Sequence, residues 1–231
     1  MKRGKKFGLV FLVLGIALAS LAFGAVQDFA TILALSSGLA AAGLGTAYLL
    51  SWPGLLGKTR RGRLLVSSYL FFWPYHVLNY ASLVIFRLLQ VAPFQEIVPG
   101  LWLGGRLFPW ERAKASHLVH ASVLDLTCEF SEVGFLRGGP AYLCIPLLDG
   151  TAPSRTELEA GLNFIAQRLR AGPVYVHCAM GHGRSPTFVA GYLLATGTQT
   201  ALEDAVKCVQ SKRPGVKLRS EQLRALQQFC A

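Results

Sequence analysis

The N-terminal part of the chain is dominated by three stretches without a charged residue, 7–27, 29–57 and 64–86. Each reaches or exceeds the roughly 20 residues that a helix needs to cross the hydrocarbon core of a bilayer. The first two predict spanning helices over about 8–26 and 32–52, paired as a hairpin that turns at Gln27-Asp28. The third, 64–90, is long enough to span but carries Pro74, His76, Asn79, Tyr75 and Tyr80 near its middle. Polar groups at mid-membrane are costly and face protein or the interface. The segment therefore either crosses with a kink or lies as a re-entrant or interfacial piece. A true third span would move everything after it to the other side of the membrane.

Beyond Pro93 the pattern becomes that of a globular domain. Short apolar runs, SVLDLT (122–127), AYLCIPL (141–147) and VYVHC (174–178), predict buried strands. Between them Leu158, Leu162, Ile165 and Leu169 recur at helical spacing. Ser154 and Glu157 form a capping-box pattern ahead of that helix, and Thr200 and Glu203 repeat it ahead of Leu202, Ala205, Val206 and Val209. Leu223, Leu226 and Phe229 mark a last amphipathic helix. Strands alternating with helices imply an α/β fold, a central sheet covered on both faces. The expected organisation is a membrane region over 1–92 and a globular domain over 93–231, joined near Val91-Ala-Pro-Phe94.

Charge sharpens the division. Of the formal net charge of +11, residues 1–92 supply most, with nine Lys/Arg against the single acid Asp28. The basic clusters at 2–6 and 58–63 flank the apolar hairpin, so the high net charge is a membrane-flank property and not the basic face of a nucleic-acid binder. The positive-inside rule puts both clusters on the cytoplasmic side of an integral membrane protein, and the domain that follows is read as cytoplasmic too, because a reducing compartment keeps a reactive cysteine free. The run 58–63 is read first as a topology determinant and second as a site for anionic lipid. The N-terminus also has the look of a signal peptide, with ALAS (17–20) as a cleavage site, but the next apolar stretch would anchor the chain regardless. Five cysteines, an odd number without a CxxC pair, argue against a disulfide scaffold and a four-ligand zinc site.

The chemistry concentrates in VYVHCAMGHGRSPT (174–187). Cys178 ends a strand, five residues follow (Ala179, Met180, Gly181, His182 and Gly183), and Arg184 opens an apolar helical stretch. The glycines let the backbone turn its N–H groups into an anion-binding nest. The helix N-terminus adds positive potential, and the Arg184 guanidinium offers a planar fork for two phosphate oxygens. The same field favours the Cys178 thiolate, the form that attacks.

His177-Cys178-x5-Arg184-Ser185 resembles the signature of the cysteine-based protein tyrosine phosphatases, most closely their dual-specificity branch. GLWLGG (100–105), VLDLT (123–127), IPLLDG (145–150) and KRPGVKL (212–218) fall in that family's order, so the resemblance covers about 96–229. It implies a phosphatase-type sheet flanked by helices and a cysteinyl-phosphate intermediate. It also implies a general acid on an upstream loop, placed at Asp149, and Ser185 hydrogen-bonded to the sulfur. His177 would orient the loop and tune the thiolate. It implies no cofactor and no metal. Cys128 is read as a buried strand-end residue, or, by the resemblance, as a thiol that pairs with Cys178 on oxidation.

His182 is read as a loop-lining residue and His76 as packed against a helix. Two substrate classes remain, a phosphorylated protein, taken first, and a membrane lipid phosphate such as a phosphatidylglycerophosphate-like headgroup. Ala179, Met180 and His182 stand where inositol-lipid phosphatases often carry lysines, which counts against a phosphoinositide. A sulfurtransferase would not need Asp149, and a non-catalytic phosphate-binding scaffold would not need the intact set. Oligomeric state is not legible.

Overall fold

A computed structural model describes residues 3–22, 29–89 and 92–230. Helices α1 (Arg3–Ala22) and α2 (Phe29–Leu49) are, among the described residues, the two long and apolar enough to cross a membrane. Helix α1 begins five residues before the expected start at Gly8. Helix α2 ends at Leu49 and not at Trp52, because the Trp52 N–H closes back on the Ala47 carbonyl at 2.8 Å and Pro53 follows. The expected turn at Gln27-Asp28 lies outside the described residues.

The hairpin is held by glycines that the apolar pattern does not single out. A Cβ on Gly8 would lie 2.9 Å from the Gly45 carbonyl oxygen, and one on Gly15 2.8 Å from that of Gly38. The reverse substitutions meet the same backbone, at 2.8 Å for Gly45 and 2.9 Å for Gly38. Small residues let two helices bring their backbones into contact in lipid, where no hydrophobic effect drives them together.

The third apolar segment is not a single span. It divides into α3 (Val66–Phe71) and α4 (Trp73–Leu89), with Phe72 between them at φ −109° and ψ 21°. Pro74 has no N–H to continue a helix from α3. Helix α4 lies against the globular domain: Leu83 packs on Phe108 and Phe130, and Arg87 pairs with Glu111 at 2.9 Å and donates to the Arg106 carbonyl at 2.7 Å.

The globular domain is built on a five-stranded sheet in the order β1-β2-β5-β3-β4. Its strands are β1 (Phe94–Val98), β2 (Leu101–Gly105), β3 (Ser122–Thr127), β4 (Tyr142–Leu147) and β5 (Val174–Cys178). All neighbours are parallel except the β1/β2 hairpin. That hairpin is hidden in the sequence because FQEIV (94–98) has neither a continuous apolar run nor clean alternation.

Four helices, α6 (Arg155–Leu169), α7 (Arg184–Ala195), α8 (Leu202–Lys212) and α9 (Ser220–Cys230), bury one face around Leu124, Val176, Leu162 and Phe188. The other face is closed by the short helix α5 (Gly134–Arg137) and the irregular segment 106–121, through Leu107, Leu118, Leu136 and Tyr175.

The Ser154–Glu157 capping box forms, the Glu157 N–H reaching Ser154 Oγ and the Ser154 N–H reaching Glu157 Oε2. The one expected at Thr200 and Glu203 does not. Helix α8 starts at Leu202 with Ala201 as its N-cap, one residue too late for the Thr200 hydroxyl to cap it.

The apolar hairpin and the domain are packed together. Ala47 and Tyr48 of α2, Leu56 and Phe72 share one buried cluster with Cys128 and Leu148 of the domain. The connecting segment is pinned as well, by the Glu132 N–H on the Gly62 carbonyl at 2.7 Å and the Leu64 N–H on Ser131 Oγ at 2.9 Å. This corrects the reading of Lys58 as a membrane-flank charge. Its ammonium is buried and donates to Asp125 Oδ2 at 2.7 Å, to Thr127 Oγ1 at 2.9 Å and to the Phe130 carbonyl. Arg60, Arg61 and Arg63 remain exposed.

Candidate active site

Strand β5 lies between β2 and β3, with Cys178 level with Gly105 and His177 level with Asp125. The cysteine thus sits at the carboxyl edge of the parallel strands, where an open α/β sheet leaves a crevice. The loop 179–183 then turns directly into α7. Four successive carbonyls of that loop are tied outward. Ala179 accepts from the Arg106 N–H at 2.9 Å, Met180 and Gly181 from the Arg213 guanidinium at 2.8 and 3.0 Å, and His182 from the Lys217 N–H at 2.9 Å.

In a trans peptide the C=O and the next N–H point in opposite directions. Anchoring these carbonyls outward therefore turns the N–H groups of 180–183 inward, and the Gly181 N–H duly reaches Cys178 Sγ at 3.2 Å. Gly181 has φ +76°, and a Cβ there would lie 2.5 Å from the Gly104 carbonyl carbon, so no other residue fits.

Burial alone would push the Cys178 thiol up. The Arg184 charge and hydrogen bonds from Ser185 and from Gly181 outweigh it and hold the thiol below its ordinary value. Ser185 Oγ is 3.3 Å from the sulfur.

Arg184 is almost fully buried, and its two terminal nitrogens are held in a fork by Glu129, at 2.9 and 2.6 Å. The Leu147 carbonyl, at 2.8 Å, takes a third bond. Nε has no hydrogen-bond partner, a buried donor left over for a ligand oxygen. Asp149 Oδ1 stands 3.2 Å from Arg184 Nη2 while its side chain stays 65% exposed, in reach of a substrate from the solvent side. Cys178, Arg184, Asp149, Met180 and His182 all line one cavity of about 710 Å³.

Behind the loop, His177 is fully buried, with Nε2 2.5 Å from Glu132 Oε2 and 3.9 Å from Asp125 Oδ1. Burial works against its positive charge, but the Glu132 and Asp125 carboxylates outweigh it and raise its pKa to about 8. Asp125, Glu132 and His177 lie close enough together to suggest metal ligands. Lys58, 2.7 Å from Asp125, and His177, with its raised pKa, already offer positive charge to the two carboxylates.

A histidine raised above its unfolded value near 6.5 stabilises the fold fully below that pH, and the contribution is lost as pH rises through about 8. The loss is expected to be on the order of 2 kcal/mol. Urea unfolding at pH 6 and pH 9 checks it, and in a Glu132→Gln variant the difference should shrink.

Sequence reasoning placed Cys178, Arg184, Ser185, His177 and Asp149 together, and the structure brings them to one place. It assigned no role to Glu129, Glu132, Asp125 or Arg213: Asp125 and Arg213 stand within VLDLT and KRPGVKL, but nothing in those runs states what their side chains meet, and Glu129 and Glu132 carry no pattern. Cys128 is buried against the apolar hairpin and lies outside the cavity lining. Burial, then the neighbouring Glu129 charge, push its thiol well above the ordinary value, which disfavours the thiolate that an oxidation partner needs. His182 does line the cavity; burial and the Arg213 charge lower its pKa to about 4, so it is neutral.

Comparison with known proteins places the domain in a family. The profile of the dual specificity phosphatase catalytic domain matches residues 115–230. The phosphatidylglycerophosphate phosphatase PTPMT2 of Arabidopsis thaliana is 30% identical over 152 residues, 62% of this chain and 59% of that protein. The phosphatidylglycerophosphatase and protein-tyrosine phosphatase 1 of Homo sapiens is 34% identical over 95 residues, 40% of this chain and 47% of that protein. The chain thus spans only about half the length of these curated relatives.

Among solved structures, Tk-PTP in the active form superposes with a TM-score of 0.55 at 26% identity, over 61% of this chain and 98% of that one. PTPMT1 in complex with PI(5)P gives a TM-score of 0.54 at 22% identity, over 60% and 95%, a likeness of fold. With half of its length matched by the domain profile, a mixed sheet of the same fold and a cysteine loop at the sheet's carboxyl edge, this chain belongs to the dual-specificity phosphatase catalytic domain family.

Proposed function

We propose that the protein is a membrane-anchored phosphatase acting on a phosphate monoester carried by a membrane lipid, with a phosphatidylglycerophosphate-like headgroup as the substrate class. One observation carries the lipid reading. The Tyr48 hydroxyl, at the end of α2, donates to the backbone carbonyl of Asp149 at 3.0 Å. The loop bearing the proposed acid is therefore fastened to the end of a membrane helix, and the cavity cannot stand far from the bilayer surface. A phosphate on a short lipid headgroup reaches such a site, whereas a phosphoprotein would have to fit beneath the domain.

This reverses the order of the two substrate classes drawn from sequence. The Arabidopsis relative is named a phosphatidylglycerophosphate phosphatase and the human one for both that activity and protein-tyrosine phosphatase, which supports the lipid class at least as well as the protein class. Lys217 and Arg219 also line the cavity, which suits a headgroup with a second anionic group. With two spans, the basic residues at both ends of the hairpin and the domain lie on one side, which the positive-inside rule makes cytoplasmic.

In the proposed reaction the Cys178 thiolate attacks phosphorus and the P–O bond to the lipid alcohol breaks. Asp149 gives its proton to the departing oxygen. The nest of N–H groups and Arg184 hold the phosphoryl oxygens, with Nε as the unused donor. Asp149, now a carboxylate, takes a proton from water as the water attacks the phosphocysteine. The sulfur leaves as a thiolate steadied by Ser185, and inorganic phosphate departs. Asp149→Asn cannot donate the proton, so turnover of a substrate with a poor leaving group is expected to fall about 10²-fold. Vanadate binding should be retained, because Cys178 and Arg184 are untouched.

The substrate class is tested by turnover of the detergent-solubilised chain on phosphatidylglycerophosphate in mixed micelles against a panel of phosphotyrosine, phosphoserine and phosphothreonine peptides. A clear preference in kcat/KM for the lipid is expected. A preference for the peptides would overturn the lipid reading and leave the phosphatase reading standing.

A further inference from the structure

Helix α4 has its amphipathicity the wrong way round for a helix on a water-exposed surface. Its one charged side chain, Arg87, points inward to Glu111. Its outward positions are apolar: Val77, Leu78, Ala81, Ile85, Leu88 and Leu89, the last two 81% and 80% exposed. They recur three and four residues apart, a single stripe along a helix about 25 Å long. Helix α3 continues the surface with Val66, Leu70 and Phe71, each at least 70% exposed. A soluble domain seldom leaves so much contiguous apolar surface uncovered.

The surface is continuous with the membrane hairpin. Phe72, at the break between α3 and α4, packs in the same cluster as Ala40, Leu44 and Tyr48 of α2, and a Cβ on Gly43 would meet its ring at 2.9 Å. Gly43 lies six residues before the end of α2. At 1.5 Å per residue this sets the break about 9 Å below the end of that helix. That is the depth at which interfacial helices bury their apolar faces, about 5–10 Å. Trp52, just past the end of α2, and Trp73, at the start of α4, are 52% and 39% exposed, the kind of aromatic residue that sits at the edge of a bilayer. Helix α4 also forms part of the cavity wall, through Asn79 and Leu83 on its inner side and Ser82 at the edge of the stripe.

We propose that α3 and α4 lie in the interfacial layer of the bilayer, and that α4 forms a doorway through which a lipid headgroup passes from the membrane to the catalytic cavity. The occupant of the apolar face is lipid. The doorway rests on the lipid-substrate reading above; the embedding of α4 does not. A headgroup entering between α4 and the loop at 179–183 would pass Ser82 and Asn79, the polar residues of α4 that face the cavity. Its acyl chains would stay against Leu78 and Ile85. Substrate would then never leave the membrane before reacting.

The test uses the full chain in nanodiscs of phosphatidylcholine and phosphatidylglycerol. A photo-crosslinking benzoyl-phenylalanine is placed at Leu78 or Leu88, and at Glu159 on α6 as a water-facing control. Irradiation should give lipid adducts by mass spectrometry at 78 and 88, about tenfold above those at 159, since embedding scales with buried apolar area. Equal labelling at all three positions would overturn the embedding, and so would crosslinks to a second copy of the chain.

The doorway is read separately with the double variant Leu78→Ser, Leu88→Ser. It should lower turnover of vesicle-borne phosphatidylglycerophosphate about tenfold while leaving hydrolysis of a soluble aryl phosphate within about twofold, because neither residue lines the cavity. Unchanged vesicle turnover would overturn the doorway. Should the wild-type chain hydrolyse the aryl phosphate but no lipid, the substrate reading fails instead, and the crosslinking result stands on its own.

Discussion

Replacement of Cys178 by serine is expected to abolish hydrolysis of an aryl phosphate, a loss on the order of 10⁶-fold in kcat if the sulfur is the nucleophile. The physical reason lies in the difference between a thiol and an alcohol. The Arg184 charge and the N–H and O–H donors from Gly181 and Ser185 are enough to hold a buried thiol below its ordinary value. They are far from enough to ionise an alcohol, so the serine would remain a weak nucleophile. The folded state should survive, since one oxygen for one sulfur leaves the Gly181 and Ser185 hydrogen bonds in place. Circular dichroism and vanadate-free thermal unfolding check that the loss is chemical. Retention of full activity would mean that another group attacks phosphorus, and the proposed mechanism would fall.

Lys58→Met should have the largest effect on stability. The Lys58 ammonium is buried, and although burial alone would lower its pKa, the Asp125 carboxylate beside it outweighs burial and raises it. Asp125 is itself fully buried and also accepts from Tyr142 Oη at 2.5 Å and from the Thr127 N–H at 2.8 Å. Methionine fills the volume of the lysine stem but leaves two buried carboxylates, Asp125 and Glu132, with only His177 to answer them. Removing one partner of a buried pair costs about 3–5 kcal/mol, here measured by urea unfolding in detergent. Adding Asp125→Asn should recover a large part of it, because the uncompensated charge is then gone. A loss below about 1 kcal/mol for Lys58→Met, the value of a surface pair, would show that the ammonium is solvated in the working protein.

Lys58 also shows where sequence reading reaches its limit. In KTRRGR (58–63) it is one of four basic residues after an apolar run, and nothing local separates it from Arg60, Arg61 and Arg63. Only the fold reveals that its stem turns in toward β3 while the arginines face out. Glu129 is similar. As one acid after DLTC it carries no signal, yet it holds the Arg184 fork. The Cys178–Arg184 spacing, by contrast, was legible because strand, loop and helix there are consecutive. Their mutual geometry is set within eleven residues, 174–184, by local backbone rules. Asp149 was legible only through the family resemblance, since its partner Tyr48 lies 101 residues away.

The sequence by itself therefore determined the elements whose causes are local: two helices long enough to span a bilayer, the buried strands, the Ser154–Glu157 cap and the phosphate loop. Hydrophobic period and backbone sterics act over a few residues, and they can be read in order. Tertiary structure decided everything that depended on distant partners. It laid α4 along the cavity through the buried pair of Arg87 and Glu111. It drew Lys58 into a buried cluster, and it fastened the Asp149 loop to the end of α2. Each of these outcomes rests on burial of a polar or charged group. That burial costs free energy unless a partner from elsewhere in the chain arrives to meet it, and no local pattern states which partner that will be.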